Sequence, residues 1–287
     1  MPPGHITCAT GQRKGRNCAS RQSILTTGEL DKEIQVYEVW TASYPREYIP
    51  HSNLGLDYLN IGQPEKSLLE GKKGLALEPE NVINYLNVAV PYIFLDRLDD
   101  SDATSHQSLA HNLDDGSLRQ AMYLVAFLRG DAKGMAQQLA WGAGKPGDED
   151  PLLSMQSDAE AYYGRLSTAR DFSRRAVDSA TRADSKEEAA FWQANAALRE
   201  SEVGNAAAAR QGARAALELS PGRDVKVFVA LTLARVGDTH AARELGAELE
   251  KDYSTNFMLK HFDLPIINAG IELNEGNPSQ ALLLSLA

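Results

Sequence analysis

The sequence predicts an all-α protein, an α-α superhelix (solenoid) built from about seven helical hairpins. The first observation is a spacing of 34 residues between turn-forming residues, which stand at Gly28, Gly62, Asp96, Gly130 and Gly164. The second is that small side chains keep constant distances from these turns. A fixed period of this length is typical of a repeated helix–turn–helix unit, because each unit must stack on its neighbours to bury its apolar face.

The turn column continues through the second half of the chain. The helix–glycine–helix pattern recurs at Gly204, Gly237 and Gly276, with short insertions between some units. A tight turn between two helices needs a residue with positive φ, which glycine adopts at little cost and Asp96 at some cost. The residues that follow several of these turns are typical helix N-caps: Asp131, Asn205, Asp238 and Asn277.

Two further columns contain mainly small residues. Five residues after the turns stand Ala169, Ala209, Ala242 and Ala281, with Ser67 and Ser101 in the earlier units. Seven residues before the turns stand Gly55, Ala89, Ser157, Ala197, Ala230 and Ala269. Two antiparallel helices approach closely only where side chains are small. Three columns that agree indicate helical hairpins rather than a chance spacing of glycines.

Residues 48–81 resemble the tetratricopeptide (TPR) repeat. The family pattern of aromatic-x2-Leu-Gly-x2-Tyr, then Ala, then Pro is matched by His51, Leu54, Gly55, Tyr58, Ser67 and Pro79. The segments 75–81 and 217–223 are similar to the usual end of such a repeat, and residues 28–46 are similar to its second helix. The resemblance implies a TPR-type solenoid over residues 28–287.

The sequence also departs from the family pattern. His51 stands where the family usually has Trp, and Gly71 and Gly74 stand where it has an aromatic residue and an alanine. Units 116–149 and 150–184 match weakly. The chain is also similar to the C-terminal TPR regions of large bacterial regulators, which lie behind serine/threonine kinase or winged-helix DNA-binding domains. Such a fold-level similarity does not by itself establish a function.

Both ends of the sequence differ from a regular repeat. Residues 1–27 are rich in Gly, Pro, Arg and Lys and lack helical periodicity, so we expect a disordered or atypical N-terminal segment. The C-terminal ALLLSLA is apolar where a solenoid usually has a polar capping helix. We therefore expect an array that is truncated at its C-terminus and that self-associates through this uncapped end.

Composition limits the classes of partner. The net charge is −10, with 29 Lys and Arg against 39 Asp and Glu, which disfavours nucleic acids and anionic membranes as partners. Cys8 and Cys18 form neither a disulfide framework nor a metal-binding pattern. The N-terminus lacks the apolar core of a signal peptide, and no apolar run reaches membrane-spanning length. We expect a cytoplasmic protein.

Motifs for catalysis or cofactor binding are missing from the sequence. The segment 142–150 contains Gly144 and Lys145, but Leu139 before it and Pro146 within it occupy positions where a phosphate-binding loop needs Gly and Ser/Thr. His106 and His111 would lie about 140° apart on a helix, so they do not form the one-sided pair of a zinc site. We found no GxSxG, kinase or Cys–His motif and expect no catalytic residues, no metal and no cofactor.

A peptide-binding groove is the site that the family resemblance implies. In TPR proteins the first helices of successive units line a concave surface, where an Asn two residues before the conserved Gly often contacts a peptide. Asn53, Asn87 and Asn195 occupy this column, and Leu56 and Val90 lie on the same helical face. Alternatively, these asparagines simply face water.

The residues at the predicted groove positions argue against a ligand that binds through its C-terminal carboxylate. Some TPR proteins bind a C-terminal carboxylate through Lys or Arg, but the corresponding positions here are uncharged: Ile49, Ser52, Leu56, Ile83 and Leu86. The sequence thus predicts a non-enzymatic scaffold or sensor that binds a protein or peptide. The alternative is a detached regulatory segment of a bacterial serine/threonine kinase or transcription regulator, and an enzyme on a helical toroid is a third, less supported class.

Overall fold

The computed structural model describes residues 28–285, and this part of the chain is α-helical without a β-strand. The expected disordered segment, residues 1–27, lies outside the described residues. The helices are α1 (Leu30–Ser43), α2 (Tyr48–Asn60), α3 (Pro64–Leu77), α4 (Val82–Phe94), α5 (Leu98–Ala110), α6 (Gly116–Leu128), α7 (Ala132–Gly142), α8 (Glu149–Tyr162), α9 (Leu166–Arg182), α10 (Lys186–Glu202), α11 (Ala206–Leu219), α12 (Arg223–Arg235), α13 (Thr239–Asp252), α14 (Leu264–Asn274) and α15 (Pro278–Ser285). A π-helical segment, Leu259–Asp263, runs directly into α14.

Helices α2 to α15 form seven antiparallel hairpins, and α1 packs on α2 as the second helix of a preceding unit. Every residue of the predicted turn column has positive φ: Gly28 (71°), Gly62 (73°), Asp96 (55°), Gly130 (68°), Gly164 (75°), Gly204 (77°), Gly237 (83°) and Gly276 (83°). The prediction of an all-α superhelix with about seven hairpins is confirmed.

The small-residue columns mark where the helices approach each other. Ala89, Ser157 and Ala230 are fully buried, as are the residues five positions after the turns. Gly71 in α3 lies at a close approach of two helix backbones, because a Cβ atom there would lie 2.2 Å from the backbone oxygen of Asn87 in α4. This contact explains why glycine replaces the aromatic residue that the family has in this column.

The predicted N-caps are only partly correct. Asp131 accepts a hydrogen bond from the amide of Gly134, as expected of a cap. Asn205 and Asp238 stand at N-cap positions without capping. The side chain of Asn205 instead donates to Glu200, and the carboxylate of Asp238 accepts from Arg210, because partners from neighbouring helices compete for these groups.

A junction divides the apolar core. Buried apolar side chains form clusters from α6 to α8 and again from α10 to α14, but among the described residues no such cluster joins α8 to α10. Polar groups connect the units here. A terminal nitrogen of Arg199 donates to the hydroxyls of Ser157 and Ser173, each at 2.9 Å, and the guanidinium also pairs with Asp158. We call these four residues the polar junction.

The two ends of the described array touch. The backbone oxygen of Gly28, which precedes α1, accepts a hydrogen bond of 2.9 Å from the amide of Phe257. Asn256 is 4% exposed, lies against Gly28, and accepts from the amide of Leu259 at 2.9 Å. The superhelix therefore turns far enough for its first helix to meet the loop before its last hairpin.

Two properties of the remaining surface bear on the predictions. None of the described helices combines the length and the apolar character needed to traverse a bilayer. The last helix, α15, exposes Leu282 and Leu283, in keeping with the apolar end that the sequence predicts. Self-association through this end stays a prediction.

Candidate functional site

The first helices of the seven hairpins, which we call the A helices, form one continuous side of the array. These are α2, α4, α6, α8, α10, α12 and α14. Successive A helices pack on one another, with α8 and α10 as the exception, whereas the second helices of successive hairpins scarcely approach each other within residues 28–285. The A helices therefore lie on the inner, shorter radius of the superhelix and form its concave surface, as is typical of solenoids.

The three predicted asparagines lie on this side, and their amide nitrogens connect successive units. Asn53 donates to the hydroxyl oxygen of Tyr37 at 2.8 Å. Asn87 donates to the backbone oxygen and the hydroxyl of Ser52, at 3.1 and 2.7 Å. Asn195 donates to the carboxylate of Asp158 at 3.3 Å. A ligand must therefore use the other polar atoms of these side chains or compete with the contacts between units.

The two predicted apolar residues differ in how far they are available to a partner. Leu56 in α2 is 49% exposed. Val90 in α4 is partly buried and packs against the cluster that contains Ile93 and Val125. Asn195 lies in α10, three hairpins beyond Asn87 in α4, so the structure does not bring all predicted site residues together.

The A helices of the first three hairpins are almost free of charge. Helix α4 contains no Asp, Glu, Lys or Arg. Helix α2 contains only Asp57, which is buried, and α6 contains only Arg119, whose largely buried side chain pairs with Asp114. Since Asp, Glu, Lys and Arg make up 24% of the chain, this region is a distinct uncharged surface.

Three exposed apolar residues that sequence reasoning missed stand at equivalent positions next to this surface. Phe94, Leu128 and Tyr162 are the last residues of α4, α6 and α8, and they are 67%, 50% and 76% exposed. We call them the apolar ridge. The equivalent residues of the other hairpins are polar: Asn60, Glu202, Arg235 and Asn274. The three ridge residues are spaced 34 residues apart in the sequence, and this regular spacing could have indicated the ridge.

An aromatic cluster extends the ridge at α8. The ring of Tyr162 meets Phe127 edge-on, with centroids 5.3 Å apart, and meets Tyr163 in the same way at 5.4 Å. The guanidinium of Arg165 lies over the ring of Tyr163 at 4.7 Å. Contiguous exposed apolar side chains of this kind mark interaction surfaces, because leaving them in water is unfavourable.

Helices α8 and α10 carry acidic groups at their starts. Burial raises the pKa of Asp150, although its carboxylate accepts from the indole nitrogen of Trp192 at 2.8 Å. Burial raises the pKa of Glu188 as well, with a further contribution from Asp150. Charge thus distinguishes an uncharged part of the concave side, formed by α2, α4 and α6, from an acidic part formed by α8 and α10.

Comparison with known proteins gives structural matches. No family model matches the sequence, and no curated protein matches it. A tetratricopeptide repeat protein from Parabacteroides merdae has a similar structure, with 14% identity, a TM-score of 0.53 and coverage of 92% of this chain and 100% of that chain.

Two longer proteins match at a TM-score of 0.49 and 14% identity. One is a signal-transduction ATPase with a tetratricopeptide repeat sensor from Pyrococcus horikoshii, and it covers 96% of this chain. The other belongs to the APC/C hetero-tetramer Cut9–Hcn1 and covers 88%. The chain spans 47% of the length of each of these two proteins. From its seven hairpins, its turn column and its similarity to the Parabacteroides protein, the chain has the tetratricopeptide-repeat fold.

Proposed function

We propose that the chain is a non-enzymatic scaffold that binds a protein or peptide on the uncharged A-helix surface of α2, α4 and α6. The observation that carries this proposal is the near absence of charge from the A helices of three successive hairpins, which also expose large apolar side chains. Binding an apolar segment of a partner here removes apolar area from water, at roughly 25 cal/mol per Å², without desolvating ions of this surface. The predicted groove residues Asn53, Asn87 and Leu56 belong to this surface.

A sensor role belongs to the same proposal. A partner that contacts several hairpins at once stabilises the interfaces between them, because the units of a solenoid are held together mainly by contacts with their neighbours. Binding would then change the curvature or the stability of the whole array. The asparagine contacts between units give a physical route, since a ligand that competes for them also acts on the packing of the units.

A cavity beside Glu149 supports the non-enzymatic part of the proposal. It has a volume of about 200 Å³ and is lined mainly by apolar groups, including Leu139, Leu153 and Phe172. Its carboxylate, Glu149, accepts from Ser179, and this hydrogen bond holds its pKa below the usual value. A carboxylate that is held ionised and already hydrogen-bonded is a poor general acid.

The second candidate function is that of a regulatory segment within a larger signalling protein. It rests on the resemblance of the sequence to the repeat regions of bacterial kinases and winged-helix regulators. The reading frame directly upstream of Met1 is the test: a continuous frame that encodes a kinase or a winged helix supports this candidate, and a stop codon in that frame contradicts it.

Selection from a random peptide library on the purified chain tests the binding function. We expect enriched peptides that are apolar and that lose affinity when Leu56→Asp places a charge on the uncharged surface. The control is Leu69→Asp, because Leu69 is equally well exposed but lies on α3, away from the A helices. No enrichment, or equal loss of affinity in the two variants, contradicts the proposal.

A further inference from the structure

We propose that the partner's binding segment is an amphipathic α-helix whose apolar stripe lies along the apolar ridge and whose flanking residues are basic. This inference rests on the proposed binding function and specifies the chemistry of the partner. It starts from the three ridge residues, Phe94, Leu128 and Tyr162, which are at least half exposed although each is a large apolar side chain.

The geometry of the ridge follows from its positions in the fold. Each ridge residue ends an A helix, and α4, α6 and α8 pack on one another in sequence. Packed helices lie about 8–10 Å apart. The ridge therefore presents three apolar side chains at steps of roughly 10 Å, over a length of about 20 Å.

This step matches the repeat of an α-helical partner. Seven residues of an α-helix rise about 10.5 Å and complete nearly two turns, so residues i, i+7 and i+14 lie on one face at the spacing of the ridge. In a β-strand, three residues also span about 10 Å, but an odd number of residues points the next side chain to the opposite face. A helix of about 15 residues can thus contact all three ridge residues at once.

A polyproline helix has a comparable repeat of about 9.3 Å, but it docks in grooves lined by aromatic rings. Here the middle ridge residue is Leu128, and the ridge side chains project from helix ends instead of enclosing a groove. The α-helical segment therefore fits the surface better, and a proline-rich peptide serves as a test of the alternative.

The charges around the ridge determine which polar residues the partner carries. The nearby arginines are already paired, Arg97 with Asp100, Arg129 with Asp99 and Arg165 with Glu160. Arg129 also faces Asp102, at 3.4 Å. Asp96 and Asp131 form no ion pair with any residue in the described part of the chain.

Carboxylates therefore outnumber cations here even when Lys133 is included. An excess of negative charge beside an apolar stripe favours a partner with Lys or Arg next to its apolar face, because complementary charges increase the association rate and exclude acidic competitors.

The test uses a fluorescein-labelled 18-residue peptide with leucines at positions 2, 9 and 16, lysines beside them and alanines elsewhere. Binding to the whole chain is measured by fluorescence anisotropy at low and moderate salt. We expect saturable binding that weakens with salt. A peptide with the same composition but scattered leucines, an acidic version with Glu in place of Lys, and a proline-rich peptide should all bind at least about tenfold more weakly.

Substitutions on the protein show where the peptide binds. Phe94→Ser, Leu128→Ser and Tyr162→Ser should each weaken binding about tenfold, as expected for central apolar contacts. The control is Leu69→Ser, an exposed leucine on α3, which should leave the affinity unchanged. Because all these side chains are largely exposed, the variants should keep the wild-type melting temperature, which is measured alongside.

The outcomes separate this inference from the proposed function. If library-selected peptides bind through Leu56 but the designed helix does not bind, the inference is wrong and the scaffold proposal stands. If neither binds, both are wrong. Equal binding of the acidic or proline-rich peptide, or unchanged affinity in all three ridge variants, also overturns the inference.

Discussion

The contact between the two ends of the array predicts that Gly28→Ala opens the superhelix, whereas Gly62→Ala leaves it closed. The two glycines have nearly equal positive φ, 71° and 73°, so the backbone cost of alanine is the same at both, about 1–2 kcal/mol. Their surroundings differ. A Cβ atom on Gly28 would lie 2.2 Å from Nδ2 of Asn256, but nothing lies within 4 Å of one on Gly62.

Asn256 determines the additional cost of Gly28→Ala. It is buried and caps the amide of Leu259, so it cannot move aside and keep this hydrogen bond. Loss of the cap costs about 1 kcal/mol. Loss of the hydrogen bond from Phe257 to Gly28 costs about 1 kcal/mol more. An extra cost of roughly 2 kcal/mol raises the ratio of open to closed molecules about thirtyfold.

Hydrogen–deuterium exchange and small-angle X-ray scattering measure this opening. In Gly28→Ala we expect the amides of Phe257 and Leu259 to exchange about thirtyfold faster and the radius of gyration to increase. Gly62→Ala should lower the melting temperature but keep the wild-type exchange rate at these two amides. Equal protection of the Phe257 amide in the two variants would refute the reasoning.

Further predictions concern the stability of the fold, and they test the packing at two glycines, the polar junction and one buried carboxylate. Gly71→Ala should lower the free energy of unfolding by about 1–3 kcal/mol, since its Cβ atom would collide with a backbone oxygen of α4. Gly246→Ala, where the Cβ atom has an ordinary contact, should raise it by up to about 1 kcal/mol, and urea denaturation that ranks the pair in reverse would contradict this. Arg199→Ala removes two charge-assisted hydrogen bonds to buried serine hydroxyls and should cost about 3 kcal/mol in the same assay, against less than about 1 kcal/mol for the exposed Arg174→Ala. Similar midpoints for these two variants would show that the polar junction contributes little.

The stability of the fold should also depend on pH through Asp263. Burial raises the pKa of Asp263, so its ionised form destabilises the fold above that folded-state pKa, and the penalty is relieved as the pH falls toward the unfolded value of about 4. Asp263→Asn should therefore melt at a higher temperature than the wild type near pH 7, with a difference that shrinks near pH 4. A constant difference across this range would exclude ionisation of Asp263 as the cause.

The repeat itself could be predicted from the sequence because its determinants are local. A turn with positive φ needs glycine or a residue such as Asp96, and close helix contacts need small side chains such as Ala89. Each requirement acts within a few residues and recurs in every unit. The period, the number of hairpins and the fold class follow from these columns without knowledge of long-range contacts.

The candidate surface could be predicted only in part. The sequence placed Asn53 and Asn87 on the first helices of their hairpins, as the structure has them. It could not show that their amides bind Tyr37 and Ser52 in the preceding unit, because that depends on how far one hairpin is rotated and shifted against the next. The spacing of Phe94 and Leu128 was visible, but their exposure was not.

The sequence by itself determined the helices, the turns and the kind of repeat, since these depend on backbone preferences and on neighbours within one hairpin. Only the tertiary structure decided which side chains stay exposed, where polar contacts replace the apolar core around Arg199, and that Gly28 meets Phe257. The physical reason is that these features depend on the relative rotation of all the units. Small rotations between successive units add up over seven hairpins, and no local sequence pattern encodes their sum.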